Sequence, residues 1–287
     1  MATGKRVRQP HASIWLAEKP TVRRQSAAGR GKGRSEGQAE QAEQATGLDL
    51  DKIVAATVRL LDTEGLAKFS MRRLAAELGV TAMSVYWYVA TKDDLLELAL
   101  DAVHGPMPLP DPEDESADWR DQLRGLAHEY RKLLTGHLWV PQLLGLFINI
   151  GPRSMDFSNC TLRVIGRSGL PVEEQAGALS SVFQFVYGFA TVEALYNARC
   201  QAAGYSPDEF LSDMVGAVRG RPRFQESLEA FDVMQEARGS SSVVEMRDHD
   251  FRFALDILIA GIEAMRERPR PPAREVAGAG PDAARSG

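Results

Sequence analysis

An all-α protein, built from a small N-terminal helical unit joined to a larger one, is what the sequence predicts, on three observations. From Leu48 onward apolar residues recur at three- and four-residue spacing, with almost none of the alternation that marks strands. Gly, Ser and Thr punctuate these periodic runs where helices begin and end. Residues 105–112 hold four prolines and run into Glu113, Asp114 and Glu115, a stretch that cannot be helical and so marks a boundary between the two units.

In order along the chain, Leu50, Ile53, Val54, Thr57, Leu60 and Leu61 form one apolar stripe that Gly65 ends. Ser70 is the N-cap of a helix over 71–78 that Gly79 closes, and a third short helix fits 82–88. Thr91 and Asp94 form a capping box, with Asp in place of Glu, that opens a helix over 95–103. Past the prolines, helices fit 119–134, 138–147, 153–166, 172–197 and 207–218. Residues 219–242 read as irregular, and a last helix over 244–267 is stopped by Pro269.

Two of these helices are apolar on two faces. Over 172–197 one face carries Val172, Ala176, Leu179, Phe183, Val186, Ala190 and Ala194, and a second carries Phe185, Phe189, Val192 and Tyr196. In the last helix Phe251, Leu255, Leu258, Ile262 and Met265 form one stripe, and Phe253, Ile257, Ala260 and Ala264 another. Such helices need two partners, which predicts a homodimer with a four-helix seam.

The net charge of −5 over 287 residues hides a gradient: +5 over 1–47, −3 over 48–104 and −7 beyond. The sum therefore does not argue against a nucleic-acid partner. Cys160 and Cys200 have no CxxC neighbour and read as reduced, buried thiols. No uninterrupted apolar run approaches the roughly eighteen residues of a membrane span, so a soluble, cytoplasmic protein without membrane contact is expected. The domain division is a flexible basic arm over 1–47, a DNA-binding unit over 48–104, a ligand-binding and dimerisation unit over 113–268, and a disordered tail over 269–287.

Residues 70–92 are a helix, a short glycine turn and a second helix, the grammar of a helix-turn-helix. Leu74, Ala75 and Leu78 point inward, and Ala75 is small where two helices approach. With Ile53, Ala55 and Ala56, then Leu60 to Gly65, Ser70 to Ala75, Gly79–Val80, Tyr86 to Val89 and Thr91–Lys92, residues 48–104 resemble the DNA-binding domain of the TetR family of transcriptional regulators. Ala90 stands where that family often has proline, which changes the rigidity of the turn more than its contacts. Downstream, Gly169, Leu170 and Pro171 leading into a long helix with Tyr187, Gly188, Phe189 and Glu193 are more loosely similar to the tetracycline-repressor-like regulatory domain.

The resemblance implies a regulator that binds a palindromic double-stranded operator and is released from it by a small-molecule effector. A recognition helix meets base edges with its N-terminal residues, here Thr81, Ala82, Met83 and Ser84. Arg72, with Ser70 at the start of the preceding helix, is the first choice for a guanine contact; Arg73 is divided between phosphate and a solvated face. By resemblance Tyr86 and Tyr88 contact phosphate through their hydroxyls, and Lys92 does so beside a helix N-terminus. Trp87 is divided between sugar-phosphate packing and core. Arg23, Arg24, Arg30, Lys32 and Arg34 interleave with glycine in a pattern that suits a minor groove, or else a passive tail. The apolar triplet Ile14, Trp15 and Leu16 in this polar stretch calls for something to dock on.

For the effector, an aromatic-rich helical unit offers an interhelical cavity lined by Trp139, Phe147, Met155, Phe157, Phe183, Tyr187 and Tyr196, with His137, Asn159, Arg163 and Gln184 orienting a large, mostly apolar ligand. Ordinary core packing is the alternative for each of these residues. The tetracycline-binding relatives hold magnesium with a histidine and a glutamate, and His137 lies in a comparable place. Glu193 falls one residue off register, however, and Val140 replaces an oxygen-bearing residue, so neither a metal nor any other cofactor is expected. Two other classes were weighed. An effector-independent architectural DNA-binding protein would lack a ligand cavity. A helical enzyme finds no support: His128–Glu129 begins like a zinc-protease helix, but Lys132 stands where the second histidine would be.

Overall fold

In the computed structural model, residues 13–16, 48–111, 114, 116–239 and 241–268 are described. The basic positions Arg23, Arg24, Arg30, Lys32 and Arg34 and the tail over 269–287 lie outside the described residues. The helices are α1 Leu50–Glu64, α2 Met71–Glu77, α3 Ala82–Tyr86, α4 Lys92–Ala102, α5 Trp119–Gly136, α6 Val140–Leu143, α7 Pro152–Gly166, α8 Val172–Ala203, α9 Pro207–Val218, α10 Gln225–Arg238 and α11 Val243–Arg266. Among the described residues there is no strand.

Side chains start these helices as their sequence demands. Asp49 accepts from the Lys52 amide at 2.7 Å, Ser70 from Arg73, and Thr91 and Asp94 form the reciprocal capping box of α4. Glycine is required at the end of α8, where Gly204 takes φ +76 and lets the last carbonyls find donors. The expected 138–147 helix shrinks to α6, with a proline at its start and Gly145 just beyond. The stretch over 219–242, expected to be irregular, contains α10. Helix formers such as Glu226, Leu228, Glu229, Ala230 and Met234 occupy its middle, and only its ends carry the Pro and Gly that suggested a loop. None of its residues is buried; Asp232 in its middle pairs with Arg219, and Arg238 at its C-terminal end pairs with Asp250.

One apolar core runs from head to body. Ile53, Leu74, Val85 and Leu95 fill the head, Leu100 continues the core, and Leu123, Leu134, Val164, Val186 and Phe251 fill the body. Helix α4 packs on both α1 and α7, and α5 lies between α7 and α8. By length and composition α8 is apolar enough to cross a membrane, but in the fold Val182, Val186, Ala190 and Ala194 are buried against neighbouring helices. Its other side is uncovered in the protomer: Val192 and Leu195 are exposed, as are Phe253 and Ile257 of α11.

A buried charge joins three of these helices. Arg131 of α5 donates from Nε and Nη2 to the two carboxylate oxygens of Glu193 on α8, both at 2.7 Å, and from Nη1 to Asp248 on α11 at 2.7 Å. Phe251 and Phe189 lie against its guanidinium at 4.6 and 5.4 Å. These carboxylates hold the Arg131 pKa above the ordinary arginine value even though burial opposes the charge. Replacing Arg131 with Ala leaves Glu193 buried without its counter-charge, at a cost of about 3 kcal/mol or more. A lowered urea midpoint with an unchanged denaturant slope is the expected result.

Candidate nucleic-acid interface and effector site

The head presents α2 and α3 at an angle set by the turn between them. Gly79 takes φ +67, a left-handed conformation that side chains disfavour, and Val80 donates back to the Ala75 carbonyl. Thr81 caps α3, accepting from the Ser84 amide at 3.2 Å, and its hydroxyl pairs with that of Ser84 at 2.9 Å. Arg72, Thr81, Met83, Tyr86 and Trp87 are exposed, while Ala82 and Ser84 are half-buried beside them. Val85 is fully buried and anchors α3 on the head core. Trp87 therefore faces solvent rather than the core.

Three of the expected DNA contacts are committed inside the head. Arg73 pairs with Glu64 at 2.7 Å and Glu77 at 3.1 Å, which ties α2 to α1 and leaves its charge balanced. The Tyr88 hydroxyl donates to the Leu48 carbonyl at 2.7 Å. Lys92 Nζ donates to the Phe69 carbonyl at 2.9 Å and sits over the Phe69 ring. In the structure the expected phosphate ligands Tyr88 and Lys92 are tethers within the head, since carbonyls at the edges of a small core need donors. Ser70 is likewise used as a cap.

In the body, Phe157 of α7, Phe183 of α8 and Tyr130 of α5 form a ring cluster with centroids 5.5 to 5.6 Å apart. Burial pushes the Tyr130 hydroxyl up to about 12. On the same helix as Phe183, Tyr187 donates to the Pro141 carbonyl at 3.1 Å, and about two turns beyond Phe183 the Thr191 hydroxyl is buried without a hydrogen-bond partner. His104 lies 6.2 Å from Phe157, and burial lowers its pKa, favouring the neutral ring. Phe147 is half-buried against the core.

Other expected effector residues lie elsewhere. Asn159, Arg163 and Gln184 are exposed and do not converge on the ring cluster, and Met155 is at the surface. Tyr196 donates to the Pro207 carbonyl and packs against Phe210 and Arg247, so it belongs to the α8–α9–α11 contact. Trp139 is core, 1% exposed. Its indole Nε1 and His137 Nδ1 both meet Asp62 Oδ1 of α1 at 2.7 Å. Both residues join body to head; Trp139 does so from the core, and His137 also lines a cleft between α1, the end of α4 and Arg153. Glu193 is engaged by Arg131 through both carboxylate oxygens, and among the described residues no cluster of three metal-ligating side chains occurs.

Tyr130, His104, Thr191 and Asp62 were not singled out from the sequence. Tyr130 continues the spacing of Leu123, Leu126 and Ala127, a signal that periodicity carries. Asp62 carries none, because its partners are more than seventy residues away.

A family model for bacterial regulatory proteins of the tetR family matches residues 53–99, and one for the tetracyclin repressor-like C-terminal domain matches residues 110–266. The chain belongs to the TetR family. An HTH-type transcriptional regulator of Saccharopolyspora erythraea is 36% identical over 155 residues, 54% of this chain and 65% of that protein. The HTH-type transcriptional repressor DrrR1 of Streptomyces coeruleorubidus is 36% identical over 163 residues, 57% of this chain and 60% of its own length. The matches thus span just under two thirds of these relatives. The Streptomyces coelicolor TetR family protein ActR, solved with actinorhodin, superposes with a TM-score of 0.60 at 25% identity, covering 77% of this chain and 99% of that one.

The Asp62 junction has a measurable consequence. Asp62→Ala leaves the buried Trp139 N–H without an acceptor and is expected to cost about 1–3 kcal/mol in urea denaturation. Asp62→Asn keeps an acceptor oxygen and is expected to recover most of that loss.

Proposed function

We propose that this TetR-family protein is a homodimeric repressor that grips a palindromic operator with two heads and leaves it when a large, mostly apolar effector enters the body. The observation that carries the reading is the exposed group Arg72, Thr81, Met83, Tyr86 and Trp87 on a helix-turn-helix whose remaining polar side chains are largely held within the head. Met83 offers apolar contact to thymine methyls, Thr81 a hydroxyl to either base type, and Arg72 a bidentate fork for guanine. Tyr86 and Trp87 suit the flanking sugar-phosphate backbone.

The division of labour follows: residues 48–104 read DNA, and residues 113–268 bind the effector and dimerise. The bare apolar faces of α8 and α11 support dimerisation, since a patch holding Val192, Leu195, Phe253 and Ile257 is costly in water. For the effector, the cluster of Tyr130, Phe157 and Phe183 supplies stacking surface, and Thr191 and Tyr130 supply polar groups that a flat, oxygen-bearing ligand would satisfy. ActR, a relative in fold, is solved with actinorhodin, and the class E tetracycline repressor of Escherichia coli is 29% identical over 157 residues. The relatives are named as regulators, which supports a binding protein over a catalyst.

Arg72→Ala is expected to weaken operator binding by about 1–3 kcal/mol and relax one base position, read by footprinting and base-substituted duplexes. An unchanged footprint would overturn that assignment. Ile257→Glu combined with Phe253→Glu buries charge in the seam and is expected to yield monomers in sedimentation equilibrium, while the helical circular dichroism signal persists.

A further inference from the structure

One face of α4 is polar and yet buried. Glu97, Asp101 and His104 follow at i, i+4 and i+7, and they are 6%, 2% and 5% exposed. Each meets a different part of the chain. Asp101 Oδ1 accepts from the Ser154 amide at 2.9 Å, capping α7 so closely that Gly151 has no room for a side chain. His104 Nδ1 lies 2.8 Å from the Leu100 carbonyl and 3.3 Å from the Ser154 hydroxyl. Glu97 accepts from the hydroxyl of Ser13, a residue 84 positions earlier in the chain and itself 4% exposed.

Ser13 is part of a locked turn. Its hydroxyl also accepts from the Trp15 amide at 3.3 Å, its carbonyl accepts from the Leu16 amide at 2.9 Å, and Ile14–Leu16 form a turn of 3-10 helix. Ile14 and Trp15 are half-buried. Ser13 thus seats this segment on α4, while Leu16 stays exposed. A buried carboxylate is costly unless a donor reaches it, so Glu97 and Ser13 need one another.

We propose that residues 13–16 are a strap on the head, seated on α4 through Ser13 and Glu97, and that Glu97 acts as a positioning residue for DNA binding. Asp101 fixes the C-terminal end of this polar face to the body, and the strap fixes it one turn earlier. With the strap released, Glu97 is left buried without its donor, α4 keeps only its packing on α1 and α7, and the operator must supply the ordering that the strap supplies in the intact protein. For this consequence the proposal rests on the operator-binding reading; the contact itself does not.

The test uses the full chain in three forms. Ser13→Asp sets a second carboxylate against Glu97 without touching the head core. Ser13→Asp with Glu97→Gln restores a donor between the two positions. Ser13→Ala removes only the hydroxyl. Amide hydrogen exchange over residues 92–102 reads the docking, and affinity for a duplex selected from genomic DNA reads the consequence. Ser13→Asp is expected to speed exchange in α4 and weaken the duplex by about tenfold, the worth of one hydrogen bond to a charged group, with Ser13→Ala intermediate. The double variant is expected to recover both, and the dependence on salt to stay unchanged because no DNA-facing cation is altered. Exchange unchanged in Ser13→Asp overturns the strap, whatever DNA the protein selects. Faster exchange with an unchanged duplex affinity, or a double variant no better than Ser13→Asp, overturns the positioning role of Glu97.

Discussion

A guanidinium taken out of water must be matched by carboxylates, and in this protein that demand falls on three helices at once. Arg131 of α5 holds Glu193 of α8 and Asp248 of α11, with Phe189 and Phe251 packed beside it. Because Glu193 binds through both oxygens, the rotation of α8 about its axis is fixed, and with it the direction of every other residue on that helix. Phe183 and Tyr187 consequently reach toward α5 and α6, while Val192 and Leu195 face away. The same pairing takes Glu193 out of reach of any metal and leaves the bare apolar seam on the opposite side.

The head is governed by a shortage of interior rather than by charge. A unit this small has few places to bury backbone carbonyls, so polar side chains near the core are drawn inward: Tyr88 to Leu48, Lys92 to Phe69. Arg73 is held by Glu64 and Glu77 in the same economical way. What remains facing outward on the helix-turn-helix is a short set of side chains, among them Arg72, Thr81, Met83, Tyr86 and Trp87. Two junctions then join head to body, Asp62 with His137 and Trp139 on one side and Asp101 with α7 on the other.

Much of the helix order was legible. Ser70 and Thr91 act as caps in the structure, and the stripes of α1 and α11 bury Ile53, Thr57, Leu60 and Leu61 and Phe251, Leu255 and Ile262, with Met265 left exposed. Misreadings arose where local and tertiary signals part. In α10 the terminal Pro and Gly outweighed a helix-forming middle. Trp139 and His137 suit a ligand by residue type, yet in the structure both meet Asp62, and His137 also lines a cleft between head and body. Nothing within a few residues of either indicates that Asp62 lies opposite.

By itself the sequence determined the helical class, the starts of most helices, the two-sided apolar character of α8 and α11, and the family grammar of residues 70–92. Those properties are set by interactions within three or four residues, where chain connectivity holds the partners together. Only the tertiary structure decided which polar side chains stay available. Arg73, Tyr88, Lys92, His137 and Glu193 are each committed to a partner, and Ser13 reaches Glu97 across most of the head. Pairing of that kind depends on which segments the packed core brings within about 3 Å, a distance that no local spacing in the chain encodes.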